Sequence, residues 1–258
     1  MKKRVKELEI IEKRFLNADT FLLVLQDDER IETILPGQFV EVKVDNASNT
    51  FLRRPISIHD INAAKKQISL FVKIVGEGTA QLSSLQKGEK LNIVYPLGNS
   101  FSLLEQGRAL LVGGGCGVAP LLYLARKLHD KNIALDIVLG AKSQKDIVQI
   151  AEYEKYGQVH ISTEDGSLGE QGFLTEHSIL KKNQNDYAML YCCGPDAMMH
   201  AVAKWAKTKQ IPTEVSLENT MACGIGACLC CVTETKSGNQ CVCTEGPVFN
   251  VNELVWEI

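Results

Sequence analysis

The sequence predicts an α+β chain of several domains: an N-terminal antiparallel β-barrel, a central doubly wound α/β domain of nucleotide-binding type, and a small cysteine-rich C-terminal domain. Three observations carry that expectation. The first hundred residues alternate short apolar runs with polar turns. A strand, a glycine run and a helix follow one another from Arg108. Six of the nine cysteines fall after residue 220. The boundaries these shifts imply are 1–103, 104–212 and 213–258.

In the first part, Phe21–Leu25 reads as one strand, and Pro36-Gly37 turns into Gln38–Val44, whose alternation says that one face is buried. A polar turn at Asn46–Asn49, then Ile68–Val75 and Leu91–Tyr95, complete a spacing that suits a small antiparallel barrel. Within it lies Phe51-Leu52-Arg53-Arg54-Pro55-Ile56-Ser57-Ile58. An Arg, a Pro and a Ser at a strand end offer a phosphate clamp, a fixed φ and a hydroxyl. The same residues would also suit a plain edge strand. Gly76-Glu77-Gly78-Thr79 precedes a helical segment, Ala80–Leu85, and makes a second anion-binding candidate at a helix N-terminus.

In the middle part, Arg108–Val112 is a short apolar strand running into Gly113-Gly114-Gly115-Cys116-Gly117-Val118-Ala119-Pro120 and a helix from Leu121 to His129. Pro120 suits the first helical turn. Further strands at Ile133–Leu139, Val159–Ser162 and Tyr187–Cys192 argue a doubly wound parallel sheet. The glycines Gly113, Gly114, Gly115 and Gly117 let a pyrophosphate approach the backbone. Val118 stands where the last glycine of the usual dinucleotide fingerprint would be, and Asp136, at the distance of a ribose-binding acid, sits in mid-strand. Thr163–Gly169 and Cys193–Met198 follow other strand ends, where ligands bind in such sheets. No Arg follows the second strand, only Lys142 and Lys145, which read as solvated surface; this favours NAD over NADP. Cys116 and Cys192 read as packing residues, and Ile211-Pro212 as the start of a linker.

The last part holds the most specific signal. Cys223, Cys228 and Cys231 have the spacing C-x4-C-x2-C, with Cys241 and Cys243 after a hairpin, Thr233–Gln240. This is the spacing of plant-type [2Fe-2S] ligation. A two-iron unit needs two thiolates on each iron, and a short loop supplies three of four only if it folds tightly; Gly224 and Gly226 allow that and allow N–H groups to face the cluster. Disulfides do not suit a chain without a signal peptide. Zinc prefers paired CxxC spacing, and Cys241 and Cys243 are one residue apart. Spacing alone does not choose between Cys241 and Cys243. Cys230 reads as a small buried filler.

The whole-chain quantities bound the rest. Over 258 residues the hydrophobic fraction is 45%, the charged fraction 23% and the net charge −3, so a basic stripe for nucleic acid is absent. No apolar run approaches a membrane span. Lys2-Lys3-Arg4 has no apolar region behind it, so a cytoplasmic location is expected, where thiols stay reduced.

The R-P-I-S segment, the G-x-G-T turn and Pro96-Leu97-Gly98-Asn99 together resemble the FAD-binding domain of the ferredoxin–NADP reductase superfamily. The resemblance implies flavin contacts from Arg54, Pro55, Ile56 and Ser57, from the strand residues Phe71, Val72 and Lys73, and from Gly78 and Thr79. It extends to the middle domain. There Gly113, Gly114, Gly115, Gly117 and Pro120 would hold NAD, and the turn Cys193-Gly194-Pro195 would lie beside the nicotinamide, with Cys193 shaping the pocket.

Over essentially the whole chain, the order of barrel, glycine loop and C-terminal cysteines, ending in Val242-Cys243-Thr244-Glu245-Gly246-Pro247-Val248-Phe249, resembles the electron-transfer subunits of NAD-dependent (type B) dihydroorotate dehydrogenases. That resemblance takes Cys243 as fourth ligand beside Cys223, Cys228 and Cys231. It implies FAD and [2Fe-2S] cofactors, with NAD as co-substrate. It also implies an FMN-containing catalytic partner in a heterotetramer of two plus two, with the cluster loop as docking face. NAD takes two electrons and an iron–sulfur centre one, so the flavin belongs between them. Nothing in the chain reads as a pyrimidine site. The rival readings are a reductase subunit of another ferredoxin-dependent or sulfur-metabolising NAD(P)H oxidoreductase, and a non-catalytic metal-binding module.

Overall fold

The structure, a computed structural model, describes residues 3–29, 31, 33–47, 49–181 and 186–257. Lys2 of the basic start and Ser48 of the polar turn lie outside them. Six antiparallel strands close a barrel: β1 (Arg4–Phe15), β2 (Thr20–Gln26), β3 (Phe39–Val42), β4 (Arg54–Asn62), β5 (Gln67–Lys73) and, after helix α1 (Glu77–Ser84), β6 (Lys90–Leu97). Their spatial order is β1-β2-β5-β4-β3-β6, and β6 returns to β1 with Arg4 opposite Tyr95 and Leu8 opposite Leu91. The interior is apolar. Ile10, Leu23, Leu25, Ile58, Ile68, Leu70 and Ile93 are fully buried, each such side chain contributing about 1.5–3 kcal/mol. One polar staple joins the wall: buried Asp27 accepts from Lys6 Nζ at 2.9 Å and from the Tyr95 hydroxyl.

The expected alternation fails at β3. All four of its residues are buried, Glu41 included. Val40 and Val42 satisfy the period-2 pattern, but the opposite face is covered as well, because Gly224 lies directly against Glu41.

The second architecture is a sheet of seven strands in the order β10-β9-β8-β7-β11-β12-β15. In chain order its elements are β7 (Arg108–Gly114), α2 (Leu121–Asp130), β8 (Ala134–Ala141), α3 (Ile150–Glu154), β9 (Gln158–Thr163), β10 (Glu170–Gln171), α4 (Ser178–Lys181), β11 (Tyr187–Cys193), α5 (Asp196–Thr208) and β12 (Thr213–Ser216). A hairpin of β13 (Val232–Thr235) and β14 (Gly238–Cys241) follows, and then β15 (Val248–Asn250), antiparallel to β12. Strands β7 to β12 pair in parallel, as expected for a doubly wound sheet. β7 has β8 on one side and β11 on the other, so the strand order reverses between β7 and β11.

One sequence expectation is corrected. Ile211-Pro212 is no linker: the Pro212 carbonyl accepts from Leu190 N–H at 2.9 Å, and β12 continues the sheet at once. By its contacts the C-terminal stretch from 213 is shared between two bodies. The chain forms two compact units, one of residues 1–100, 218–233 and 239–247, the other of 101–217, 234–238 and 248–258. β12 and β15 complete the sheet of the second unit, while the cysteine loop packs with the barrel in the first.

Candidate functional site

In the first unit the β4–β5 ladder runs from Asn62 opposite Gln67 to Ile58 opposite Leu70, with a bulge, and stops there. Beyond that point Arg54–Ser57 pair with β3 and Phe71–Lys73 with β2. The wall therefore opens a seam between the R-P-I-S segment and the end of β5, leaving one backbone edge of Phe71, Val72 and Lys73 facing it. Phe71 and Val72 are buried and Lys73 half-buried, its Nζ 3.7 Å from Asp19.

The two adjacent arginines divide the work. Arg53 is spent on the fold: it donates to the carbonyls of Glu41 (3.3 Å) and Asn92 (3.2 Å) and to Asn92 Oδ1 (2.6 Å). Among the described residues Arg54 donates only to the neighbouring carbonyls of Leu52 and Arg53, at 3.3 and 3.2 Å. Its Nε lies against Gly78, where a Cβ would come within 2.9 Å of it. A guanidinium is thereby set beside the first turn of α1, the arrangement that receives a phosphate. Thr79 does not face outward. Its hydroxyl accepts from the N–H groups of Val75 (2.9 Å) and Gly76 (3.2 Å) and donates to the Gly76 carbonyl (3.1 Å). It holds the turn that carries Gly78.

The cysteine loop folds as its spacing predicts. Gly224 and Gly226 take φ of 66° and 82°. The N–H groups of Ile225 (3.4 Å) and Ala227 (3.3 Å) point at Cys223 Sγ, and that of Gly226 at Cys243 Sγ (3.2 Å). Cys243 N–H in turn points at Cys231 Sγ (3.4 Å). These amide bonds, that of Ile225 foremost, pull the Cys223 thiol down to about 6, while burial, with Cys231 beside it, pushes Cys243 up to about 12. Cys223 has Cys228 as a neighbouring thiol, and Cys231 has both Cys243 and Cys241. Among the described residues no three His, Cys, Asp or Glu gather as a site for one metal ion. Thiols that accept backbone N–H groups in this way suit an iron–sulfur cluster. Cys241 also hydrogen-bonds Cys231, but its own N–H goes to Glu245 Oε2 at 2.8 Å. Cys230 is exposed, not a buried filler. Leu229, with φ of 57°, turns the chain there, so that Cys231 is buried and its neighbour faces out.

In the second unit, the glycine loop and the Cys193-Gly194-Pro195 turn meet at the carboxyl ends of β7 and β11, with Gly113 opposite Cys193. A Cβ on Gly117 would lie 2.4 Å from the Cys193 carbonyl and Gly194, and one on Gly114 would lie 2.4 Å from Met198 Sδ. Gly115, with φ of 56°, has open space where its Cβ would be, and the chain runs through Pro120 into α2. This is the reversal point of the strand order, where such sheets bind nucleotides. Cys193 is buried; Cys192 is fully buried, as a packing residue should be, whereas Cys116 is only half-buried. Lys142 and Lys145 are exposed. Asp136 is fully buried and accepts from Arg108 Nη2 (2.5 Å) and the Tyr187 hydroxyl (2.6 Å), with His160 Nε2 at 3.1 Å. It braces β7, β9 and β11 and has no free edge for a ribose.

Comparison with known proteins agrees with this layout. Residues 7–101 match an oxidoreductase FAD-binding domain, 111–204 an oxidoreductase NAD-binding domain, and 218–255 the iron–sulfur cluster binding domain of dihydroorotate dehydrogenase B. The dihydroorotate dehydrogenase B (NAD+) electron-transfer subunit of Shouchella clausii is 38% identical, over 99% of this chain and 100% of its own length. The chain belongs to this family. The corresponding subunits of Clostridium acetobutylicum (42% identical, 86% of this chain and 87% of that one) and Listeria innocua (40%, 96% and 98%) are similar to it as well. The structure of an NADH-dependent reduced ferredoxin-NADP oxidoreductase superposes with a TM-score of 0.87 at 28% identity, over 97% of this chain and 90% of that one. The ferredoxin reductase of carbazole 1,9a-dioxygenase (TM-score 0.72, 21% identity, 82% and 68% covered) shares the fold. Among the described residues no helix is long and apolar enough to cross a membrane.

Sequence reasoning passed over two residues of the first unit, Arg53 and Glu41. The doubled Arg at 53 and 54 was visible; which of the two the fold consumes was not. A single acid in an otherwise apolar β3 was the only signal for Glu41.

Proposed function

We propose that this chain carries electrons from an FMN-containing dihydroorotate dehydrogenase subunit, through a [2Fe-2S] cluster and FAD, to NAD+ in pyrimidine biosynthesis, within a heterotetramer of two such chains and two partners. The observation that carries the reading is the set of loop N–H groups aimed at Cys223 and Cys243, in the same compact unit as the Arg54–Ser57 seam. Cys223, Cys228, Cys231 and Cys243 are the cluster ligands; Gly226 N–H on Cys243 Sγ favours that residue over Cys241. Arg54 takes the flavin phosphates beside Gly78. Pro55, Ile56 and Ser57 line one side of the seam, and the backbone edge of Phe71, Val72 and Lys73 the other. Bound FAD supplies the exchange between two-electron hydride chemistry and one-electron cluster chemistry. Gly113–Gly117 and Pro120 hold the NAD pyrophosphate, and Cys193, Gly194 and Pro195 shape the nicotinamide pocket. The exposed lysines 142 and 145, without an arginine, favour NAD over its 2′-phosphate form.

The partner docks on the cluster loop, where Ile225 (49% exposed) and Leu229 (65%) stand apolar in solvent. Ile225→Asp with Leu229→Asp is expected to abolish partner binding while iron and sulfide content stay unchanged; undiminished binding would place the docking face elsewhere.

The deciding experiment is anaerobic co-expression with an FMN-containing partner, with iron, sulfide and flavin assays and dihydroorotate-dependent NAD+ reduction. The expected result is FAD with two irons and two sulfides per chain, and activity only in the complex. Colourless protein, or zinc in place of iron, would overturn the cluster assignment.

A further inference from the structure

Glu41 is a buried acid in the wall of the barrel, against Gly224 of the cysteine loop. It is 0% exposed, and neither carboxyl oxygen has a hydrogen-bond partner among the described residues. Its register partners are Pro55 of the R-P-I-S segment and Val94 of β6. Directly opposed residues of neighbouring strands share a face, so Glu41 stands on the same side of the wall as Pro55. On that side it meets the cysteine loop: a Cβ on Gly224 would lie 2.5 Å from Glu41 Cγ and 3.0 Å from Oε1.

Arg53 is close but does not neutralise it. Its guanidinium is taken by two backbone carbonyls and Asn92, and the only atom of Glu41 it reaches is the main-chain oxygen. The charged or ionisable groups that act on the Glu41 carboxyl are Arg53, Cys223 and Arg54. A buried acid without a partner costs several kcal/mol, and an apolar side chain would pack β3 at no such cost. A residue this expensive at the junction of two cofactor-binding segments has its use in electrostatics.

We propose that Glu41 is a positioning residue of the electron path: beside the Cys223–Gly224 turn and on the face of Pro55, its buried carboxyl, when deprotonated, lowers the reduction potential of the cluster relative to the flavin. The inference rests on the cluster and flavin sites proposed above. A fixed negative charge near a cluster disfavours the added electron, and burial strengthens the effect by thinning the solvent that would screen it. In its ionised form Glu41 thereby tilts the transfer from cluster to flavin downhill with a group that touches neither substrate.

The test is a redox titration of the purified full chain at pH 9, followed by electron paramagnetic resonance for the cluster and by absorbance for the flavin. Parent, Glu41→Gln, Glu41→Asp and the exposed control Glu12→Gln are compared. Iron, sulfide and flavin content test the site assignment; the potentials test this inference. The expected result is full cluster content throughout, an upward shift of the cluster potential in Glu41→Gln, a value near the parent in Glu41→Asp, and no change in Glu12→Gln. A cluster potential in Glu41→Gln equal to the parent's would overturn the proposal. So would a shift confined to the flavin, or loss of the cluster in both Glu41→Gln and Glu41→Asp, which would mark the position as packing alone.

Discussion

Glu41 and Asp136 are acids fully buried within strands, one in each compact unit, and the two are opposites. Asp136, in the seven-stranded sheet, has a guanidinium, a phenol and an imidazole within 3.1 Å. Glu41, in the barrel, has no hydrogen-bond partner for either oxygen among the described residues. Both are fully shielded from solvent. Burial by itself therefore says little about role; the partners do. An acid ringed by donors belongs to the architecture, even when, like Asp136, it stands at the sequence distance of a ribose-binding residue. An acid buried without donors is kept against its own stability.

Breaking the first half of that comparison should give the largest effect. Asp136→Ala leaves Arg108, His160 and Tyr187 without their common acceptor and is expected to destabilise the chain by about 3–5 kcal/mol in urea unfolding. If it instead raised the KM for NAD at unchanged stability, Asp136 would be a ligand contact after all.

The second half gives an opposite sign. Burial raises the Glu41 carboxyl from its usual range to about 7, against the pull of Arg53. The folded chain then binds more protons than the unfolded chain between about pH 4.5 and 7, so this contribution is complete below pH 4.5 and is lost as pH rises toward 7. Cluster-free protein should lose up to about 3 kcal/mol of stability over that interval. Glu41→Gln should flatten the profile, as followed by thermal melts across pH.

A smaller contrast sharpens the same lesson with cations. Arg53→Ala should cost about 1–3 kcal/mol of stability, because it strips donors from two carbonyls and Asn92. Arg54→Ala should leave stability within about 0.5 kcal/mol and weaken FAD retention roughly 10- to 100-fold, read by flavin release on dilution. The smallest effect belongs to a thiol. Cys230→Ser, at an exposed position, should change neither cluster content nor stability by more than about 0.5 kcal/mol, whereas Cys243→Ser should lose the cluster in an iron assay.

What could be read in the chain beforehand was whatever obeys a local rule. C-x4-C-x2-C with Gly224 and Gly226 is local, and its backbone bends as the spacing requires. The strand–glycine–helix passage around Gly113–Pro120 is local too, as are the barrel strands from β2 to β6. The misses come from distant partners. Glu41 looked solvent-facing because β3 alternates, and only a loop nearly two hundred residues away covers it. Cys230 looked like filler because no local rule says which of two adjacent cysteines turns inward. Pro212 looked like a linker because a proline carbonyl gives no hint that a strand will claim it. Arg53 and Arg54 are indistinguishable until β6 supplies Asn92.

The pairing of β12 with β15 has a consequence for how such a chain can change. Ser216 lies opposite Val248, so the segment that carries the cysteines leaves and rejoins the sheet at neighbouring points. Topologically it is the connection of a hairpin, however much chemistry it holds, and closing a longer or shorter connection alters the chain entropy only slowly with length. A gene could gain or drop this cassette by a single insertion or deletion without rewriting the nucleotide-binding sheet. Its loss would leave a scar in the barrel, where Glu41 would return to water and Asn99 would lose the carbonyls of Glu245 and Gly246.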